Sequence, residues 1–392
     1  MNSNIFNSIA GPASEPLSNR VAVDVATTGL DSVESPIHQW FEILESPDYF
    51  LHVVDARSGN FGFIRTSRER LANASFVDGR SPLAVDSKIW QVPIDEAFKW
   101  QKTAFRSTQP NRFVFHQSFC GSTFLARALH VEEKSFAYKE PNIVAQLANL
   151  KAAHHPLYAN KAHWSQLLNF VLEQFKQSWL TLSPAVNESD HQNLIKPSSW
   201  VNTMLPDLAT EAGHSNIVLV SQSAEDFLVS VFRGGGERVQ FAYALLKHLR
   251  SAFPDYYQVI SEIEQSALDS ADLFIRLTLI AHALQNRAFA QLQALLPARE
   301  CMTLPYQELQ KDPVESAYHA ARTLQLGLEK SDLVASVAHN LGQHAKVSHR
   351  GYAQQQTDAI NAQVRAHYQE NFKAAMDWYQ DHLLPSSPLF EG

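Results

Sequence analysis

The chain has 392 residues, enough for one large domain or two. With 45% hydrophobic and 18% charged residues and a formal net charge of −8, its composition is that of a globular protein. It carries no basic run of the kind that broad nucleic-acid or anionic-membrane binding needs, and its two cysteines, Cys120 and Cys301, make neither a disulfide framework nor a CxxC zinc site. Residues 1–35 are rich in Ser, Asn, Pro and Gly and read as a flexible arm. The opening MNSNIFNSIAGPASEP has no basic n-region and no long apolar stretch, and no uninterrupted apolar run approaches the ~20 residues of a membrane helix. A cytoplasmic protein is expected, with no membrane and no nucleic-acid partner.

Residues 36–108 read as a small α+β lead-in unit. Ile37 to Leu44 has the pattern of a short helix, and the runs at Tyr49–Val54 and Phe61–Arg65, joined by Ser58-Gly59-Asn60, form a hairpin signal. A further helix is expected from Val92. From residue 109 to the end, short apolar runs alternate with helical stretches. The runs are Arg112–Phe115, Phe136–Tyr138, Asn193–Ile195, Asn216–Val220 and Glu300–Leu304. The helical stretches are about 142–182, from 225, about 237–296, and from 306 to 326. This alternation predicts an α/β domain with a parallel sheet flanked by helices, and a ligand at the strand C-terminal ends.

The most informative stretch is Asn111 to His130, NRFVFHQSFCGSTFLARALH. An apolar strand turns through small residues into a helix, leaving N–H groups that favour phosphate or sulfate. The Walker A pattern is absent, because Ser122 stands where its Lys belongs. Ser118, Phe119, Cys120, Gly121, Ser122 and Thr123 are therefore the candidate anion cradle. Gly121 allows close backbone approach, and the hydroxyls of Ser122 and Thr123 add donors. His154-His155 and His163 lack a ligand pattern, so no metal site is expected. Gly234-Gly235-Gly236 is either a substrate loop or a linker between helices.

Five segments in this order resemble the sulfotransferase family, a P-loop-type fold that uses 3′-phosphoadenosine 5′-phosphosulfate (PAPS). FCGSTFLARAL resembles its 5′-phosphosulfate loop, Lys139-Glu140-Pro141 a Glu-bearing strand end, and LIKPSSW the strand end that carries Lys196. VLVSQSAEDFLVSV resembles the 3′-phosphate motif, and LPYQELQKDP with the later LGL a late family segment. The resemblance covers about 110–330. It places Phe119 where the family has a basic residue, Gln222 where it has Arg, and Ser198 where cytosolic members have the His base. Gly121, Ser122, Thr123, Lys196 and Ser230 match.

The resemblance implies transfer of a sulfuryl group from PAPS to a hydroxyl or amine of a small-molecule or peptide acceptor. Glu140 or His116 would serve as base and Lys196 as electrostatic partner. An ion pair with Lys139 or a helix cap is the alternative for Glu140, and a structural hydrogen bond the alternative for His116. Cys120 is either a reactive thiol or a small packed residue. The lost cations direct attention to Arg127, Arg233, Arg238, Lys346 and Arg350, with Arg350, in the 344–351 segment, expected on a phosphate. Two alternatives stay open. One is an ATP- or GTP-dependent phosphotransferase or NTPase with Mg on Glu225 or Asp226, and the other is a non-catalytic nucleotide-binding descendant. The oligomeric state is not legible.

Overall fold

The computed structural model describes residues 29–36, 39–103, 108–176, 191–210, 214–297, 299–341, 343–344, 347–351 and 354–383. The chain is an α/β protein whose main sheet has five strands, all parallel. They are β5 (Asn111–His116), β6 (Ser135–Lys139), β7 (Gln192–Lys196), β8 (Ser215–Ser221) and β9 (Cys301–Pro305), in the order β6-β7-β5-β8-β9. Both faces are covered, so these strands read as continuous apolar runs rather than as alternations.

Successive side chains nevertheless go to opposite faces. Phe113, Phe115, Phe136, Tyr138, Ile217 and Leu219 enter one core, which they share with the long Ser270–Leu295 helix. Val114, Ala137, Leu194, Val218 and Val220 enter a second core. There they meet Leu125 and Ala128 of the Ser122–Ala128 helix and Ala317 and Ala320 of the Pro313–Thr323 helix.

The strand order locates the crevice. From β5 the chain leaves toward β6 on one side, whereas from β8, the direct neighbour of β5, it leaves toward β9 on the other. The connections that follow β5 and β8 therefore run in opposite directions, which makes the C-terminal ends of these two strands the place where open α/β sheets bind their ligands.

The N-terminal part forms a separate four-stranded sheet from β1 (Asp31–Glu34), β2 (Tyr49–Asp55), β3 (Asn60–Arg65) and β4 (Lys88–Pro93), in the order β1-β4-β3-β2. Two expectations are corrected here. The last residues of the expected arm, Asp31–Glu34, pair in parallel with Lys88–Gln91, and Val92 lies inside β4, so the helix begins only at Ile94. The unit does not stand apart. Phe61 stacks on Phe170 with ring centroids 4.6 Å apart, Phe50 stacks on Tyr138 at 5.9 Å, and its apolar side chains belong to the first core of the main sheet.

The expected 237–296 helix is three helices, Gly235–Leu249, Tyr257–Gln265 and Ser270–Leu295. Pro254 breaks the first gap, and Asp269 caps the last helix by accepting from the Asp272 N–H at 2.9 Å. Gly234, at the junction of the Ala224–Arg233 and Gly235–Leu249 helices, matches the linker reading of the triple glycine. No helix among the described residues is long and apolar enough to cross a membrane.

Candidate active site at the strand ends

The 117–121 loop joins β5 to the Ser122–Ala128 helix through three left-handed residues, Ser118 (φ 65°), Phe119 (φ 52°) and Gly121 (φ 75°). Such backbone is uncommon outside glycine and persists only where neighbours impose it. The neighbours are identifiable. The Ser118 N–H donates to His116 Nδ1 at 3.0 Å, which leaves the ring proton on Nε2, and Nε2 donates to the Pro197 carbonyl at 3.1 Å. The Ser118 hydroxyl bonds the Ser199 hydroxyl at 2.6 Å. Gln117, fully buried, accepts the Gln222 N–H on Oε1 at 2.8 Å and donates through Nε2 to Asn286 Oδ1. The Gln222 side chain donates back to the Ser118 carbonyl at 2.7 Å.

Several sequence expectations change on this geometry. His116, buried with both ring nitrogens engaged, shapes the loop and is not poised as a base. The Gln222 side-chain N–H is taken by the loop backbone. Cys120 is fully buried with its thiol toward the Val220 carbonyl, and burial pushes its pKa up, so it is a packed residue and not a nucleophile. The close approach at Gly121 is protein, because a Cβ there would lie 2.8 Å from Tyr306 Cε2. Ser122 and Thr123 open the helix, where the first N–H groups have no intrahelical acceptor, and both are buried.

One flank of the loop is ionic. Glu140, at the end of β6, is strained into the left-handed region (φ 55°), and its N–H donates to the Lys196 carbonyl at 2.6 Å. Its carboxylate lies between two cations. Oε1 is bonded by the ammonium of Lys196, which is completely buried, and Oε2 by Arg80 Nη2 at 2.8 Å. Burial pushes the Glu140 carboxyl up, but Lys196 and then Arg80 outweigh it and hold the pKa at about 2. A carboxylate so held is a very weak base at neutral pH, which corrects its expected proton-accepting role. The alternative readings fail as well. Lys139 turns away to the Ala72 carbonyl at 2.6 Å, with burial and Arg127 lowering it to about 7, and the following helix has no side-chain cap.

The other flank carries Ser230 and Arg238. Arg238, buried, donates through Nη1 to the Ser230 carbonyl at 2.7 Å and lies 4.8 Å from the centre of the Phe119 ring. It can do so because residue 234 is glycine, since a Cβ there would stand 2.0 Å from Arg238 Cδ. A cation therefore sits between positions 119 and 230 although neither is basic. The Arg350 side chain lies outside the described residues, and its backbone belongs to β11 (Val347–Gly351), which pairs with β10 (Gln343–His344). Glu225 and Asp226, the sequence candidates for magnesium, are bound by Arg365 at 2.9 and 2.8 Å.

Sequence reasoning missed Asp78, Arg80 and Phe76, which the lead-in unit delivers to the strand ends. No local motif marks them, and their link to Glu140 spans 60 residues.

No protein-family model matches the chain, and no curated protein matches it. Among solved structures, the chain is similar to a sulfotransferase domain from the curacin biosynthetic pathway (11% identity, 68% of this chain and 99% of that one, TM-score 0.35). It is also similar to a sulfotransferase from Alicyclobacillus acidocaldarius (12% identity, 69% and 100%, TM-score 0.31). A third is retinol dehydratase in complex with androsterone and the inactive cofactor PAP (14% identity, 88% and 98%, TM-score 0.31).

Proposed function

We propose that this chain is a sulfotransferase-like enzyme that moves a sulfuryl group from PAPS to a hydroxyl or amine of a small molecule or peptide. One observation carries the reading: the ends of β5, β7 and β8 close on one another around the 117–121 loop, with one buried cation on each flank, Lys196 and Arg238. The donor nucleotide has two anionic ends and needs such separated positive charge. Arg238 and Ser230 would hold one end, and the first N–H groups of the Ser122–Ala128 helix and Lys196 the other.

PAPS supplies the activated sulfur. The bond from sulfur to the phosphate oxygen breaks, a bond to the acceptor oxygen or nitrogen forms, and the acceptor proton leaves to solvent. The contribution of the chain is positioning and charge, as in phosphoryl transfer, because neither Glu140 nor His116 is free to take that proton. That saturation favours a second reading, nucleotide binding without transfer. The ATP- or GTP-dependent alternative is weakened by the engagement of Glu225 and Asp226 with Arg365.

A thermal-shift titration separates the readings. Adenosine 3′,5′-bisphosphate at 100 times its Kd should stabilise the fold by about 2.7 kcal/mol. Stabilisation by ATP–Mg and none by the bisphosphate would overturn the proposal. Binding of PAPS without formation of a sulfated acceptor and adenosine 3′,5′-bisphosphate, across a panel of hydroxyl and amine acceptors, would select the second reading.

A further inference from the structure

Lys196 presents an energetic difficulty. For its ammonium to meet an anionic group it must loosen its hold on Glu140, and a carboxylate abandoned in the interior is among the costliest events in a fold. Arg80 answers the difficulty. It reaches the second oxygen of Glu140 from the lead-in unit, at 2.8 Å, and is itself fixed three times over. Asp78 Oδ2 takes Nε at 2.6 Å and Nη2 at 2.5 Å, and the Phe76 ring lies 3.9 Å from the guanidinium carbon. The Val77 N–H, bonded to the Lys139 carbonyl at 2.7 Å, ties the whole segment to the end of β6. Asp78, Arg80, Glu140 and Lys196 carry two charges of each sign. With Lys196 turned away, Arg80 still leaves Glu140 paired.

We infer that Arg80 is a positioning residue: by keeping Glu140 paired, it frees Lys196 to contact the sulfuryl group of the bound nucleotide. The lead-in unit is then part of the site and not a mere neighbour of it. This inference rests on the sulfotransferase-like reading, and the competing role for Arg80 is a strap that only ties the two sheets together.

The test compares PAPS with adenosine 3′,5′-bisphosphate, which lacks the sulfuryl group, by calorimetric titration between pH 4 and pH 8. Wild type should prefer PAPS by about tenfold or more, the worth of a charge-assisted hydrogen bond. Lys196→Met should bind the two equally. Arg80→Gln should lose most of the preference at pH 7 while keeping its bisphosphate affinity, and Arg80→Lys should retain part of it.

The diagnostic readout is pH. The titratable and charged groups facing Glu140 are Lys196, Arg80 and His116, and Asp78 on the far side of Arg80. Removing Arg80 raises the Glu140 pKa, so acidification neutralises Glu140, releases Lys196 and restores the PAPS preference. A strap would show no such recovery. An Arg80→Gln protein with the wild-type preference at pH 7, or with equal loss of both nucleotides and no recovery in acid, overturns the inference while the functional reading stands. Failure of wild type to bind either nucleotide overturns both. Should Arg80→Gln not fold, Arg80→Gln/Glu140→Gln removes the carboxylate together with its cation. That double variant should show the wild-type preference, and its absence would be decisive against the inference.

Discussion

On the β6–β7 side of the 117–121 loop the strand ends carry Asp78, Arg80, Glu140 and Lys196, all charged and bonded to one another. On the β8 side, beside the buried cation Arg238, Gln117, Gln222, Asn286, His282 and Tyr379 form a network that is uncharged at neutral pH and equally interlinked. His282 is kept neutral because burial, opposed only by its bond to the Gln222 carbonyl, lowers it to about 4, and burial pushes Tyr379 up to about 12. The two flanks do different work. Amides hold a loop in one shape without the cost of burying charge, because each donor and acceptor points one way. Buried charges answer a new charge brought close to them. In this chain Gln222 belongs to the shape-holding side, and Arg238 stands nearby as the cation.

The comparison breaks most visibly at Lys196. Lys196→Met leaves Arg80 alone on Glu140, and breaking one partner from a buried pair costs ~3–5 kcal/mol. Denaturant unfolding should show a loss near the lower end of that range, because Arg80 remains, together with loss of any transfer activity. Gln222→Ala strikes the uncharged network and should cost less, about 1–3 kcal/mol, the penalty for an unsatisfied Ser118 carbonyl. Equal losses in the two variants would erase the distinction between the flanks.

The third effect is a slope. The Glu140 pKa is lowered on folding from 4.5 to about 2, so its contribution is fully present above pH 4.5 and fades as pH falls toward 2. Asp78, whose pKa burial raises, works in the opposite sense. Glu140→Gln should therefore flatten the acid limb of stability against pH, whereas Gln222→Ala should shift the whole curve and keep its shape. A Gln222→Ala curve with a flattened limb would mean that the two flanks are coupled.

The sequence marks Gly121 as a place of close backbone approach, but the atom it makes room for is Tyr306 Cε2, 185 positions along the chain by the numbering of the two residues. Gly121→Val should therefore disturb the fold itself, through the left-handed backbone and the tyrosine together, and not only a bound anion.

Short-range chemistry governs what can be read directly from the order of residues. Buried parallel strands must be apolar runs, so β5 to β9 were legible, as were the small residues between β5 and its helix. The β1 strand was hidden because Asp31-Ser-Val-Glu34 is polar and gains its order from pairing with β4. Which charges meet is set by how the chain packs. Glu140 is adjacent to Lys139 in sequence yet pairs with Lys196 and Arg80, because β6 and β7 align their ends and the lead-in unit lays residues 76–80 across them. Coulomb attraction depends on distance in space and on burial, and neither is written in the spacing of residues along the chain.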